Sequence, residues 1–168
     1  MLAPLIILEN IRSAYNVGNI IRTADALWYD VILSGFTPHP DTKPQVKKTS
    51  LGAEESVNLR QFWHTTQAVE WVKDQWYVLV VWECCEGSMS LDQITTSLSL
   101  SREEHIGIAL LVGNENTWVL QETLDSADHI THIPMQWLKE SLNVGQAAAI
   151  LMWEFRSQHL EWNNRLTV

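Results

Sequence analysis

Cysteine is scarce in this chain of 168 residues, since Cys84 and Cys85 are the only two and are adjacent. Neighbouring cysteines cannot close an ordinary structural disulfide or supply the spaced ligands of a zinc site, so we expect two free thiols at a strand end. The six histidines form neither a cluster with cysteine nor an HExxH pattern. The sequence therefore predicts no catalytic metal.

Long hydrophobic runs are also missing. No apolar run approaches the roughly 20 residues that span a bilayer. Residues 1–4 lack the basic start and long apolar core of a secretory signal. The length suits one domain with a substantial core. We therefore expect a single-domain cytoplasmic protein.

Positive charge is in short supply, with 11 lysines and arginines against 20 acidic residues and a net charge of −9. Phosphate contacts are made chiefly by lysine and arginine, which argues against broad, nonspecific binding of nucleic acid. A local basic groove stays open, because Lys43, Lys47 and Lys48 share one loop and Arg12 and Arg22 lie near the N-terminus. A few solvated lysines would give the same pattern.

Glycine-rich and nucleophile motifs are absent too. The segment after the first apolar run has one glycine, Gly18, where a dinucleotide fingerprint needs three. Neither a GxSxG elbow nor a GxxxxGK[ST] loop is present. These absences argue against nicotinamide-dependent dehydrogenases, common hydrolases and nucleoside triphosphatases.

Apolar runs that alternate with helical patterns favour an α/β architecture built on a largely parallel sheet. The predicted strands are Leu5–Glu9, Asp30–Ser34, Tyr77–Glu83, Ile106–Val112 and His129–Ile133. The predicted helices are Asn16–Leu27, Thr65–Gln75, Val119–Ala127 and Val144–His159. The polar segment from Thr37 to Lys48 is predicted to be one long loop, and such loops are often functional.

Three segments carry polar residues at or after the ends of predicted strands, at residues 10–26, 110–115 and 133–144, and they are called the three polar segments below. The second is a strand that runs into Gly113 and Glu115. The third reads as a strand stopped by Pro134 and followed by a helix, because Ser141 and Asn143 are both good N-cap residues. Such a segment offers backbone donors, hydroxyls and amides to a ligand. A simple capped connection between a strand and a helix would look the same.

In this order and at these separations, the three segments closely resemble the motifs of the SpoU/TrmH-like 2′-O-ribose RNA methyltransferases of the SPOUT superfamily. Residues 48–54 (KTSLGAE) also resemble the central segment of that family, so the resemblance covers nearly the whole chain. It implies an α/β knot, in which the C-terminal part of the chain forms a deep trefoil knot around S-adenosyl-L-methionine. It also implies a homodimer whose interface helps to build the site.

The resemblance further implies methyl transfer to a ribose 2′-hydroxyl of tRNA or rRNA. The expected catalytic residues are Asn16, Arg22, Glu115, Ser141 and Asn143, with the arginine stabilising the charge that develops on the ribose oxygen. The expected cofactor-binding residues are Gly113, Ile133, Met135 and Leu142.

We expect residues 1–168 to form one methyltransferase domain without the added RNA-binding domain of many relatives. RNA recognition would then use Arg12, Lys43, Lys47 and Lys48, or a partner protein.

Several of these residues have a purely structural alternative. Arg22 could be a solvated or ion-paired helix residue, and Glu115 could be a carboxylate at a helix start. Ser141 and Asn143 could simply cap the last helix.

Four tryptophans depart from the family pattern, because Trp28, Trp76, Trp118 and Trp137 stand where it usually has glycine. The chain holds nine tryptophans and only seven glycines. A residue with a Cβ in the left-handed region costs roughly 1 kcal/mol or more. Three interpretations stay open: aromatic adaptations, an impaired cofactor site on a noncatalytic RNA-binding or dimeric scaffold, and glycine codons translated as tryptophan, since some bacterial lineages read UGA as glycine.

Overall fold

A seven-stranded sheet forms the centre of the protein in the computed structural model, which describes residues 3–100, 107–114, 116–136 and 141–159. Its strands are β1 (Leu5–Glu9), β2 (Asp30–Ser34), β3 (Leu59–Phe62), β4 (Tyr77–Trp82), β5 (Met89–Ser90), β6 (Gly107–Val112) and β7 (His129–His132). Every pairing is parallel, and the order is β3-β2-β1-β6-β4-β7-β5. The predicted α/β class with a mostly parallel sheet is confirmed.

The central strands are the most apolar. All five residues of β1 (LIILE) are buried, and so are five of the six residues of β6 (GIALLV). Parallel strands covered on both faces read as such continuous apolar runs. The edge strand β3 (LRQF) carries two exposed polar residues in its middle. The sequence thus places its strands by how much of each can be buried.

Helices cover both faces of the sheet. They are α1 (Ala14–Leu27), α2 (Lys47–Ser50), α3 (Thr65–Asp74), α4 (Leu91–Leu100), α5 (Gln121–Asp125) and α6 (Val144–His159), with a short 3₁₀ turn at Ala53–Glu55. One core cluster packs α1, α4 and α6 against the sheet through residues such as Ile20, Ile94 and Leu151. A second packs α3 and α5 on the opposite face, around Val69 and Leu124. Within the described ranges, every helix falls short of the length and apolar content that a bilayer crossing requires.

Several predicted boundaries shift. The first helix begins at Ala14 rather than Asn16, because the Ser13 side chain accepts a bond from the Asn16 amide and caps it. The third strand predicted from the sequence, β4, ends at Trp82 rather than Glu83, and the helix after it in the chain was not predicted. Helix α6 covers the predicted residues, whereas Ile106 lies outside the described residues.

The helix predicted over Val119–Ala127 is shorter than expected and spans only Gln121–Asp125. The residues of its predicted first turn lie before the helix. The backbone amides of Val119 and Leu120 donate to carboxylates there. The predicted loop Thr37–Lys48 also ends early, since Lys47 already belongs to α2.

Helix α2 holds the end of this long loop against α1 through a close backbone approach at Gly18. A Cβ at Gly18 would lie 2.1 Å from Thr49 Oγ1 and 2.3 Å from the carbonyl oxygen of Val46. The Thr49 hydroxyl also donates to the Tyr15 carbonyl at 3.0 Å. Glycine is required here by space, and the contact fixes the segment that carries Lys47 next to the start of α1.

We therefore expect Gly18→Ala to lower the free energy of unfolding by about 1–3 kcal/mol, because the α1–α2 contact must open to admit a methyl group. Urea denaturation followed by circular dichroism measures the change. Asn19→Ala is the matched control, since Asn19 is the next residue of α1 and is exposed. Equal stability of the two variants would contradict the close packing at Gly18.

Candidate functional site

The candidate site lies at the carboxyl edge of the sheet, where the chain order changes direction. Strands β1, β2 and β3 run outward to one side, whereas β6 lies between β1 and β4. Ligands of open α/β sheets bind at the carboxyl ends of strands at such a switch point. The residues that follow β1, β6 and β4 are therefore neighbours at this edge.

The segment after β6 folds back over Gly113 in a tight turn. Asn114 is buried, and its side-chain amide donates to the Asn10 carbonyl at 2.6 Å. Its side-chain oxygen accepts bonds from the amides of Asn116 and Thr117, at 2.8 and 3.1 Å. A Cβ on Gly113 would lie 2.8 Å from the Val119 nitrogen, so only glycine fits below the turn. Asn114 thus joins the second polar segment to the first.

Two carboxylates, one on each side of β6, hold the end of this turn. Glu9, the fully buried last residue of β1, accepts bonds from the Leu120 amide at 3.0 Å and the Thr123 hydroxyl at 2.7 Å. Glu83, which follows β4, accepts a bond from the Val119 amide at 3.1 Å. Two consecutive amides are therefore fixed by carboxylates from two different strands. Burial raises the pKa of Glu9, against the lowering effect of its bonds to Thr123 and Leu120.

The third polar segment meets the first through Asn143. Its side-chain oxygen accepts a bond from the Gly145 amide at 2.9 Å, and its carbonyl accepts one from the Ala147 amide at 2.9 Å. These bonds make Asn143 the N-cap of α6. Its side-chain nitrogen also donates to the Asn16 side-chain oxygen at 3.2 Å. The capping role and the contact with the first segment therefore coexist in one side chain.

A small cavity of about 30 Å³ lies where the second and third segments face each other. It is lined by Gly113, Asn114, Trp118 and Ser141, and by residues 82–84 on the β4 side. Glycine, amide and hydroxyl groups around one cavity suit a polar organic ligand. The exposed free thiols Cys84 and Cys85 follow β4 as expected, and Cys84 belongs to this wall.

The other predicted site residues that the structure describes are not among those that line this cavity. Ile133, Met135 and Leu142 are half-buried, and they are not among the described residues that line it. Arg22 is exposed on α1, about two helical turns beyond Tyr15 and so on the same face. Glu115 and Trp137 lie outside the described residues.

The basic residues lie on segments that are tied to the start of α1. The Ile11 amide, beside Arg12, donates to the Thr37 hydroxyl at 3.0 Å. At the other end of the loop, Thr49 bonds to Tyr15, which places α2 and Lys48 beside the same helix. The side chains of Arg12, Lys43, Lys47 and Lys48 are exposed. Arg12 and the α2 lysines therefore share one side of the protein.

The sequence matches the model of a known protein family. The model of the SpoU rRNA Methylase family matches residues 3–153, which is most of the chain. The chain belongs to this family.

Individual relatives agree with the SpoU assignment. The chain is 28% identical over 159 residues to a 23S rRNA (guanosine-2′-O-)-methyltransferase RlmB of Acinetobacter baylyi, covering 94% of this chain and 61% of the relative. A solved structure of an AdoMet-bound rRNA methyltransferase from Sinorhizobium meliloti superposes with a TM-score of 0.81 at 24% identity, over 94% of this chain and 57% of that one.

The SpoU methyltransferase AviRb from Streptomyces viridochromogenes superposes with a TM-score of 0.79 at 23% identity, over 93% of this chain and 59% of that one. This chain spans about three fifths of the length of these relatives.

Glu9 and Glu83 are the residues of this SpoU chain that the sequence analysis missed. Each follows an apolar run, LIIL before Glu9 and YVLVVW before Glu83. A carboxylate at the end of a buried strand was a usable signal, because a charged group there must find partners. In this chain the partners are the amides of Val119 and Leu120.

Glu9 makes the stability of this fold pH-dependent. Because burial raises its pKa, the folded state holds more protons than the unfolded state between the ordinary value and the folded one, so stability falls as pH rises through that interval. We expect Glu9→Gln to remove this decline, since a carboxamide can serve both partners without charge.

Denaturation midpoints of the two proteins, measured from about pH 4 to pH 8, provide the readout. Glu70→Gln is the control, because Glu70 is exposed on α3. A wild-type protein and a Glu9→Gln variant with parallel pH profiles would rule out the buried carboxylate as the cause.

Proposed function

We propose that the protein is an S-adenosyl-L-methionine-dependent methyltransferase that acts on a ribose 2′-hydroxyl of tRNA or rRNA. The observation that carries the proposal is the meeting of the three polar segments at one edge. Asn143 bonds to Asn16, Asn114 bonds to the Asn10 carbonyl, and Ser141 and Gly113 line the same cavity. Family membership and relatives named as RNA methyltransferases support the same activity.

The cavity at Gly113 fits the nucleoside end of the methyl donor in chemistry. Gly113 leaves backbone free of a side chain, and the amide of Asn114 and hydroxyl of Ser141 are hydrogen-bonding groups. In this proposal Gly113, Ile133, Met135 and Leu142 hold the cofactor, which supplies an activated methyl group when bound. The C-terminal part of the chain forms the trefoil knot around it.

Arg22 performs the electrostatic part of the reaction in this proposal. In such a transfer the 2′-oxygen would bond to the methyl carbon as that carbon leaves the sulfur of the donor, and the hydroxyl proton would pass to solvent. A guanidinium facing the oxygen would stabilise the negative charge that develops on it. An arginine stays protonated throughout, so it acts as a fixed positive charge. Asn16 and Asn143, bonded to each other, orient the substrate nearby, with Ser141 and Glu115 completing the proposed site.

A homodimer accounts for the position of Arg22. Arg22 shares the exposed face of α1 with Tyr15, which is 52% exposed. Helix α6 packs against α1 and carries the exposed Ile150 and Trp153. Large apolar side chains on two neighbouring helices suit a protein interface. In the proposed dimer, this interface brings the arginine of one subunit towards the site of its partner.

RNA recognition is assigned to Arg12, Lys43, Lys47 and Lys48. All four are exposed, and the segments that carry them are tied to the start of α1, close to Asn16. Lys47 Nζ also lies 3.9 Å from an Asp41 carboxylate oxygen. A surface ion pair of this kind contributes little free energy, so Lys47 can exchange it for a phosphate contact.

Arg22→Ala is expected to lower the rate of methyl transfer by about 10²–10³-fold, because one charge-stabilising donor is lost. Tritiated methyl incorporation into bulk tRNA and rRNA measures the rate, and calorimetry with S-adenosylmethionine measures cofactor binding, which we expect to persist. Arg60→Ala is the control. Arg60 lies on β3, and its guanidinium carbon is 4.4 Å from the ring centre of Trp71 on α3. Unchanged turnover in Arg22→Ala would refute the assignment.

Replacing Lys47 and Lys48 together by alanine is expected to weaken RNA binding and to reduce its salt dependence. Each lost phosphate contact lowers the slope of log affinity against log salt by about 0.7–0.9. Filter binding of tRNA over a range of salt concentrations gives the slope. Lys73→Ala is the control, because Lys73 lies on α3, 3.6 Å from Asp128. A slope equal to that of the wild type would remove α2 from the RNA-binding surface.

A further inference from the structure

Tryptophan occupies a backbone conformation that it rarely adopts. Five non-glycine residues of the described chain have positive φ: Asn10 at 54°, Leu51 at 52°, Trp28 at 61°, Trp76 at 63° and Trp118 at 63°. Asparagine is several-fold enriched in the left-handed region, whereas bulky residues are outliers there. Three of the five positions therefore carry the same improbable residue.

Each of the three tryptophans closes a turn that glycine ordinarily closes. Trp28 follows α1, its amide donates to the Asp25 carbonyl, and the next amide, of Tyr29, donates to the Ala24 carbonyl. This pair of bonds is the Schellman motif, whose left-handed position is usually glycine. The Trp76 amide donates to Lys73 just after α3 in a similar way.

Trp118 ends the turn over the second polar segment. Its amide donates to the Asn114 carbonyl at 3.1 Å, and its backbone carbonyl carbon would lie 3.0 Å from a Cβ on Gly113. Backbone packs against backbone at this point. This close approach requires glycine at position 113, whereas at position 118 it is the positive φ of 63° that favours glycine.

Burial of the indoles does not explain their positions. Trp28, Trp76 and Trp118 are 49%, 83% and 55% exposed, so much apolar surface stays in water. Trp28 does have the Arg156 guanidinium 5.4 Å from its ring centre. This cation–π contact does not explain the backbone conformation, because an aromatic ring can meet a guanidinium from an ordinary backbone region as well. The other described tryptophans, at 63, 71, 82 and 153, all lie outside the positive-φ region.

We infer that the natural protein carries glycine at positions 28, 76 and 118, and that its gene is read in its host with UGA as a glycine codon. A single reassigned codon replaces one residue type by one other at every affected position. That accounts for three separate turns with the same substitution, which independent aromatic adaptations do not. Position 137 lies outside the described residues, and the family pattern predicts the same codon there.

Glycine in place of Trp118 alters the candidate site. Trp118 belongs to the wall of the cavity that Gly113 and Ser141 also line, which measures about 30 Å³. That volume holds about one water molecule, whereas ligand pockets measure roughly 300–1,000 Å³. Glycine at position 118 removes a large side chain from a residue that lines this cavity. The natural protein then has a more open site than the tryptophan-containing chain.

Two direct observations test the inference. We expect the codons of positions 28, 76 and 118 to be UGA, and peptides of the protein isolated from its own host to have the masses of glycine-containing sequences. UGG codons, or peptide masses with tryptophan at these positions, would overturn it.

A stability comparison tests the backbone argument independently. In a recombinant chain with all nine tryptophans, we expect Trp76→Gly to raise the unfolding temperature by about 2–4 °C. Trp76→Ala should raise it less, because alanine keeps the Cβ that the left-handed region disfavours.

Trp63 is the matched control, since it is 78% exposed and lacks a positive φ. At this position we expect the opposite order of unfolding temperatures, with Trp63→Ala above Trp63→Gly. Glycine raises the conformational entropy of the unfolded chain, and no left-handed backbone is present to favour it. Alanine equal to or better than glycine at position 76 would overturn the left-handed assignment.

The consequence for the site rests on the proposed function and has its own readout. We expect Trp118→Gly to bind S-adenosylmethionine at least about tenfold more tightly than the tryptophan chain, and more tightly than Trp118→Ala, in isothermal calorimetry. Equal affinity of all three would overturn the claim that Trp118 restricts the cavity. Absence of binding in every variant, together with glycine masses in the host protein, would instead overturn the proposed cofactor and uphold the glycine assignment.

Discussion

The insertion of β6 between β1 and β4 is the constraint on which the rest of the site depends. Because the three strands are parallel, their last residues reach the same edge at the same height. Glu9 and Glu83 can then approach the turn after β6 from opposite sides. A strand at the edge of the sheet would have a neighbour on one side only. Two carboxylates on consecutive amides therefore require a central position for β6.

The buried carboxylate has a cost and a use. A fully buried Glu9 is disfavoured by desolvation, yet it bonds to a backbone amide and a hydroxyl that would otherwise be buried without a partner. Those bonds fix the positions of Leu120 and Thr123 after the turn. A segment that is already held in one conformation needs less ordering when a ligand binds, which favours affinity. Glu83 and Glu9 accept the amide hydrogens of Val119 and Leu120, and α5 begins only at Gln121.

The sequence foretold the elements whose pattern is strongest. The apolar runs of β1 and β2 and the residues of α6 lie where expected. Strand β3 was missed because an edge strand with Arg60 and Gln61 exposed lacks an apolar run. Helix α4 was missed because its threonines and serines favour turns as much as helices. The more of a helix or strand is buried, the more clearly its hydrophobic pattern appears in the sequence.

The site was predicted less completely, for a different reason. Asn16, Gly113, Ser141 and Asn143 could be named because the spacing of three motifs resembles a family. The end of a buried strand marks Glu9 as a carboxylate that needs partners, but the partners lie more than a hundred residues away in the chain, and only the strand order brings them together. For Asn143 the two alternatives, a helix cap or a site residue, do not exclude each other. The same side chain caps α6 and bonds to Asn16.

The left-handed tryptophans connect the backbone of the fold to its energetics. A Cβ in this region costs roughly 1–2 kcal/mol per residue, so three such positions cost about 3–6 kcal/mol. The stability of a whole domain is only about 5–15 kcal/mol. Exposed indoles return little of that cost, because their apolar surface remains largely in water. A fold that keeps these three turns is therefore far better matched to glycine than to tryptophan, and the turn geometry itself, rather than any single contact, carries that conclusion.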